Sequence, residues 1–187
     1  MVKKIRTCVF ISGNGSNLKS IIANSRDSNF PIKVKLIISN NSNAQGLKYA
    51  IKYNIPYKYY NSHNQKLFER NCLTHLKKEK IKFLCLAGFM KILSKKFIGS
   101  FNNKIINIHP SLLPKYKGLN THKRVLIKKE KYTGCTVHYV NEKLDSGSII
   151  LQKKILINKI DNETSLKKKV LKQEHKLYSE AIRLIFK

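Results

Sequence analysis

The stretch NIHPSLLPKYKG, residues 107–118, delivers an asparagine and a histidine to the end of a short apolar run and then breaks into a loop. Strand side chains alternate with period two, so Asn107 and His109 share one face. Pro110 and Pro114 cannot donate to a strand ladder, which ends the strand near His109. An amide donor beside an imidazole suits stabilisation of a developing negative charge or movement of a proton. Each residue also has an ordinary structural use, Asn as a turn cap and His as a strand-end packing group.

The acids narrow the field. Of ten, Glu69, Glu79, Glu130, Glu142, Asp161, Glu163 and Glu180 fall on charged helix faces, helix starts or turns, and Asp27 precedes a turn. Asp145, in the LDSG link between two strand-like runs, and Glu174, inside the apolar stripe of the last helix, stand apart. A carboxylate on such a stripe needs a partner, either a specific one or a lysine at the stripe's edge. The six histidines are widely separated and neither HxxxH nor HExxH occurs, so the expected chemistry is acid-base without a metal.

SGNGSN, residues 12–17, follows the first apolar run and opens a helical pattern. Gly13 and Gly15 permit a tight turn, and a helix N-terminus offers unpaired N–H groups to an anion. The spacing is not a dinucleotide fingerprint, because Leu18 stands where a third glycine belongs and Ser39-Asn40-Asn41 replaces the ribose-binding acid. A Walker ending is missing too. A phosphate monoester site and a plain tight turn both remain open on this stretch.

These residues need elements to position them. IRTCVFI (5–11), PIKVKLIIS (31–39), a short run at 55–60, KFLCLAG (82–88) and IINIH (105–109) read as strands. Helical patterns lie between them: one carries Leu18, Ile21 and Ile22, another Leu47, Ala50 and Ile51, and a Lys/Glu-rich one spans about 64–79. Alternating strands and helices predict a doubly wound α/β sheet. After residue 130 the alternation stops. TGCTVHYV and SIILQKKILI are joined by only seven residues, too few for a crossover, so they are expected as antiparallel neighbours. The closing helix, 163–186, has the stripe Leu166, Val170, Leu177, Ala181, Leu184, with Lys168, Lys169, Lys172, Lys176 and Arg183 opposite.

The chain has 187 residues with 42% apolar content, enough for one domain with a substantial core. No repeat or linker divides it, so residues 1–187 are expected to form a single domain. The longest apolar run, FLCLAGFM at 83–90, is far short of the roughly 20 residues that cross a bilayer. Only a short apolar run follows MVKK, and a cytoplasmic protein is expected. Cys8, Cys72, Cys85 and Cys135 form no CxxC pair and read as buried thiols.

The formal charge of +28 points toward nucleic acid. Its texture points away. Only five of 38 basic residues are arginine, the side chain that forked phosphate and base recognition favours, and the lysines are scattered over every helical pattern. The field would nonetheless attract a small anionic substrate.

With these residues in hand, the chain resembles the folate-dependent phosphoribosylglycinamide formyltransferases of purine synthesis over essentially its whole length. VFISGNGSNLKSII is similar to their first strand and phosphate loop, LAGFMKILS to a folate-pocket segment, NIHPSLLPKYKGLNTH to their signature, and GCTVHYVNEKLDSG to a second catalytic segment. The resemblance implies a Rossmann-like, mostly parallel seven-stranded sheet with one antiparallel strand. It implies that Asn107, His109 and Asp145 match a catalytic trio, that Gly15, Ser16 and Asn17 hold the substrate phosphate, and that Glu174 contacts the glycinamide ribonucleotide. Met90, Lys91, Ile92 and Leu93, with Asn107 and the backbone of 141–145, would line the site for 10-formyltetrahydrofolate, the formyl-donating co-substrate, with no metal required. Lys91 stands where the family commonly has arginine, and Gln65 near where some relatives direct an arginine toward the folate's glutamate tail. A tRNA formyltransferase or a formyl-folate hydrolase would be expected to bring a further domain, and a Lys-rich nucleic-acid-binding protein would not need His109. Monomer and homodimer both stay open.

Overall fold

The computed structural model describes residues 4–187. Seven strands form one sheet in the order β3-β2-β1-β4-β5-β6-β7. They are β1 (Ile5–Ile11), β2 (Ile32–Ser39), β3 (Tyr57–Tyr59), β4 (Phe83–Leu86), β5 (Lys104–His109), β6 (Tyr132–Tyr139) and β7 (Ile149–Leu156). The helices are α1 (Ser16–Ser25), α2 (Leu47–Lys52), α3 (Gln65–Lys78), α4 (Lys95–Phe101), α5 (Thr121–Ile127) and α6 (Glu163–Ile185). The first five strands pair in parallel, and β6 runs antiparallel to both β5 and β7. The break in alternation after residue 130 is therefore a single reversed strand. Short α5 was not anticipated: THKRVLI is only seven residues, too short for periodicity to separate it from loop.

Two apolar clusters sandwich the sheet. Val9, Ile11, Phe83, Cys85, Ile106 and Ile108 pack on the α1/α6 side, while Cys8, Phe10, Leu84, Leu86 and Ile105 meet α3 and α4. Alternation along each strand sends neighbours to opposite faces, and both faces are covered, which is why β4 and the second half of β1 are unbroken apolar runs. Each fully buried Leu, Ile or Phe contributes about 1.5–3 kcal/mol.

Local signals start the helices. Asn64 accepts from Leu67 N–H at the start of α3, Ser94 from Phe97 N–H at α4, and Asn162 with Ser165 forms a reciprocal capping box at α6. Tyr178 fixes α6 against the sheet: its ring is buried and its hydroxyl donates to the carbonyls of Leu86 (2.9 Å) and Ile106 (3.3 Å). The α6 stripe departs from expectation at one end, where Leu184 is exposed and Tyr178 and Ile182 are buried instead. Ile51, placed on the inner side of α2 by spacing, is 63% exposed because that six-residue helix meets the core chiefly through Ala50. All four cysteines are buried and unpaired.

β1 and β4 are adjacent, yet the chain proceeds outward from them in opposite directions. Such a reversal opens a crevice beyond the carboxyl ends of the strands, where ligands of open α/β sheets bind. The 12–17 loop leaves β1 there, the 87–94 segment leaves β4, and Asn107 and His109 end β5.

Candidate functional site

β5 presents Asn107 and His109 on the face that carries Ile105. In the antiparallel ladder Asn107 stands opposite His138 and His109 opposite Thr136. The loop after Pro110 is laced to β6 and β7. Thr136 Oγ1 donates to the Ser111 carbonyl (2.6 Å) and accepts from Leu113 N–H (3.2 Å), and Gln152 Nε2 donates to the Leu113 carbonyl (2.8 Å). This lacing folds the loop over His109, which is 5% exposed.

Asp145 reaches the same place from the β6–β7 connection. Its Oδ2 accepts from Gly118 N–H at 2.8 Å and lies 3.2 Å from His109 Nδ1. The other ring nitrogen, His109 Nε2, is 2.8 Å from the Tyr116 carbonyl. A carbonyl can only accept, so Nε2 carries a proton. Nδ1 is left facing the Asp145 carboxylate, close enough for an ion pair when the ring carries a second proton. His109 and Asp145 side chains are 7% and 8% exposed, so the pair is little screened by solvent.

His138 completes the cluster and was not singled out from sequence. Its Nδ1 faces the Tyr139 carbonyl at 2.8 Å and therefore donates, which leaves Nε2 to accept from Asn107 Nδ2 at 3.2 Å. Burial holds its pKa below the usual histidine value; the Tyr139 bond and Asp145 oppose that, and His109 and Lys117 add to it. A neutral His138 thus fixes which way the Asn107 amide points. Period-two alternation in TGCTVHYV puts Thr136 and His138 on one face, but the register that sets His138 opposite Asn107 is a tertiary fact.

At the β1 end of the crevice, Gly15 occupies the N-cap position of α1 with φ 71° and gives no side-chain cap. The first-turn N–H groups stay open to an anion. The turn is tight: a Cβ on Gly15 would sit 2.5 Å from Gly46 Cα, and Gly46 N–H donates to the Gly13 carbonyl at 3.0 Å. Beside Ser16, Asn17 is buried and its Nδ2 donates to Glu174 Oε2 at 2.7 Å, while its Oδ1 is buried without a partner. The expected partner of Glu174 is therefore Asn17, not a lysine. Burial pushes the Glu174 pKa up, against the Asn17 bond and Lys167. Glu174 lies one helical turn before Tyr178, whose hydroxyl ties α6 to β4 and β5.

The segment after β4 forms one wall of a cleft that Asn107, His138 and Asp145 also line. Lys91, Ile92 and Leu93 belong to that wall, and Asn141 to Asp145, apart from Glu142, form the other side. Met90 does not line it: its side chain is 64% exposed, and its N–H donates to Ser12 Oγ at 2.8 Å. Gln65 is exposed, and its Nε2 donates to Glu69 Oε1 and to the Ile92 carbonyl, both at 3.0 Å. Glu69 corrects the expectation of a charged surface position. It is 8% exposed and takes the Ser94 N–H at 2.8 Å and the Ser94 hydroxyl at 2.5 Å. Helical spacing alone could not show that the loop before α4 folds back onto this carboxylate.

The structure therefore brings Asn107, His109 and Asp145 together, and separately joins Asn17 to Glu174. The formyl transferase family model matches residues 5–182. The phosphoribosylglycinamide formyltransferase of Haemophilus influenzae is 39% identical over 97% of this chain and 86% of its own length. The human trifunctional purine biosynthetic protein adenosine-3 is 40% identical over 98% of this chain, which spans 18% of that larger protein. Among solved structures, glycinamide ribonucleotide transformylase 1 from Symbiobacterium toebii superposes with a TM-score of 0.93 at 34% identity, covering 97% of this chain and 87% of the other. The Brucella melitensis phosphoribosylglycinamide formyltransferase gives 0.93 at 36% identity, covering 98% and 96%.

Proposed function

Because the chain belongs to the formyl transferase family, we propose that it transfers the formyl group of 10-formyltetrahydrofolate to the primary amine of glycinamide ribonucleotide, a step of purine biosynthesis. The observation that carries this reading is the buried His109 side chain 3.2 Å from the Asp145 carboxylate, beside a cleft that Asn107 and Asp145 line. The folate supplies an activated formyl carbon. Lys91, Ile92, Leu93 and Asn107 would hold it from one side and the backbone of 141–145 from the other. Gly15, Ser16 and Asn17 would take the ribonucleotide phosphate on the open N–H groups of α1. Glu174, with the unpartnered Asn17 Oδ1, offers acceptors to the rest of that substrate.

The amine nitrogen bonds to the formyl carbon, the bond from that carbon to the folate nitrogen breaks, and one proton passes from the amine to the folate nitrogen. Negative charge gathers on the formyl oxygen in between. Asn107 meets it with the amide N–H not used on His138; one such donor is worth about 3 kcal/mol, or roughly 10²- to 10³-fold in rate. His109 Nε2 is taken by the Tyr116 carbonyl and Nδ1 faces Asp145, so in this arrangement a protonated His109 would act through its charge more than through a direct bond. Asp145 takes the amine proton and returns it to the leaving nitrogen, directly or through water, for a typical gain of about 10²- to 10⁴-fold. The reaction is assigned to the cytoplasm, where four buried unpaired thiols persist.

The test is the absorbance change on deformylation of 10-formyl folate, with and without glycinamide ribonucleotide. Turnover that requires the amine supports the transferase. Turnover without it indicates a hydrolase, and no turnover by folded protein overturns the reading.

A further inference from the structure

The loop after β5 carries a half-buried lysine that the chemistry above leaves unused. Lys117 Nζ donates to Ser146 Oγ at 2.5 Å, and Ser146 Oγ donates to the Leu144 carbonyl at 2.8 Å. The two bonds grip the residue before Asp145 and the residue after it. Lys117 is itself well anchored. Its carbonyl accepts from the Arg124 guanidinium at 2.6 Å, the next residue gives its N–H to Asp145, and the preceding carbonyl faces His109. Three consecutive residues, Tyr116, Lys117 and Gly118, thus hold His109, Ser146 and Asp145 in turn.

The backbone shows why holding is needed. Asp145 has φ 45° and Tyr116 φ 57°, left-handed conformations that residues with side chains resist and that surrounding contacts must impose. Asp145 also sits in a connection with no helix or strand of its own, so the backbone that carries it is held by bonds to the loop after β5, while its carboxylate faces His109 of β5 and His138 of β6. The Lys117 ammonium forms no ion pair among the described residues, and its hydrogen bond goes to a neutral hydroxyl. Its contribution lies in where that hydroxyl is.

We propose that Lys117 is a positioning residue, whose ammonium clasps the β6–β7 connection to the loop after β5 and so sets the Asp145 carboxylate against His109. The kinetic consequences rest on the formyl-transfer reading. Lys117→Met keeps the length and removes the donor, Lys117→Arg keeps a donor, and Ser146→Ala cuts the clasp from its other end. Lys117→Met and Ser146→Ala are each expected to lower kcat about tenfold, with the ribonucleotide KM within about twofold, because the Asn17–Glu174 end is untouched. Lys117→Arg should recover kcat to within about threefold. In an Asp145→Asn background, Lys117→Met should cost less than about twofold more, since residues acting through one group are not additive.

Unchanged kcat in both Lys117→Met and Ser146→Ala, or a tenfold loss that persists with Asp145 replaced, overturns the proposal. A second readout does not depend on turnover. Amide exchange at Gly118, whose N–H is tied to Asp145, should accelerate about tenfold or more in Lys117→Met or, should that variant not fold, in Ser146→Ala. Equal exchange rates overturn the clasp. If the unmodified protein transfers no formyl group while these exchange rates still diverge, the function reading fails and the clasp stands.

Discussion

Replacing Asp145 by Asn tests the proton-handling role with little change of shape. The Asn oxygen can occupy the position of Oδ2 and keep the 2.8 Å bond from Gly118 N–H. Its NH2 then takes the position of Oδ1, 3.8 Å from His138 Nε2, whose lone pair already accepts from Asn107. The fold should therefore survive. The negative charge beside His109 does not. A hydrogen bond to a charged partner contributes about 1.5–3 kcal/mol, here in a pair under 10% exposed, and each 1.36 kcal/mol is tenfold in rate. Losing that support alone corresponds to roughly 10- to 150-fold. Losing the proton carrier as well brings the expected fall in kcat to about 10²- to 10⁴-fold. The ribonucleotide KM should stay within about twofold, because its binding groups lie at the β1 end of the crevice. Steady-state kinetics in the amine substrate, with a thermal melt to confirm folding, decides the matter. A fall in kcat of less than tenfold, or a rise in KM as large as the fall in kcat, would refute the assignment.

Glu174→Gln keeps an acceptor for Asn17 and removes the titration. Because burial raises the folded Glu174 pKa above its unfolded value, the folded state binds more protons across that window, and this group's contribution to stability falls as pH rises through it. The variant should melt at or above the unmodified protein at neutral pH, and the difference should close on acidification; a difference independent of pH would contradict the buried, strained carboxylate. Gly15→Ala puts a Cβ 2.5 Å from Gly46 Cα at φ 71°, so a loss of about 2 kcal/mol or more in chemical denaturation is expected from strain and clash, together with weaker competition by inorganic phosphate against the ribonucleotide. Glu69→Ala strands the Ser94 N–H and frees Gln65, at a cost of about 1–3 kcal/mol, or a melting drop of roughly 3–10 °C. Its kinetic mark should be a raised KM for the folate at nearly unchanged kcat, and an unaltered folate KM would show that this network does not shape the 88–94 segment.

The order of residues along the chain is enough to specify the alternation of apolar runs and helical stripes, the stop of β5 at Pro110, and the reversal forced by a seven-residue link. Those signals are local: side-chain period, missing N–H groups and chain length act within a few residues. They were enough to put Asn107 and His109 on one face and to mark Asp145 and Glu174 as acids without an ordinary surface role. Tertiary structure decided what those residues touch. Strand register set His138 opposite Asn107, folding of the 88–94 segment onto α3 buried Glu69, and the packing of α6 on α1 joined Glu174 to Asn17 across 157 residues of chain. Each is a pairing between segments distant in sequence, where a hydrogen bond is selected by the three-dimensional neighbourhood and leaves no periodic trace in either segment alone.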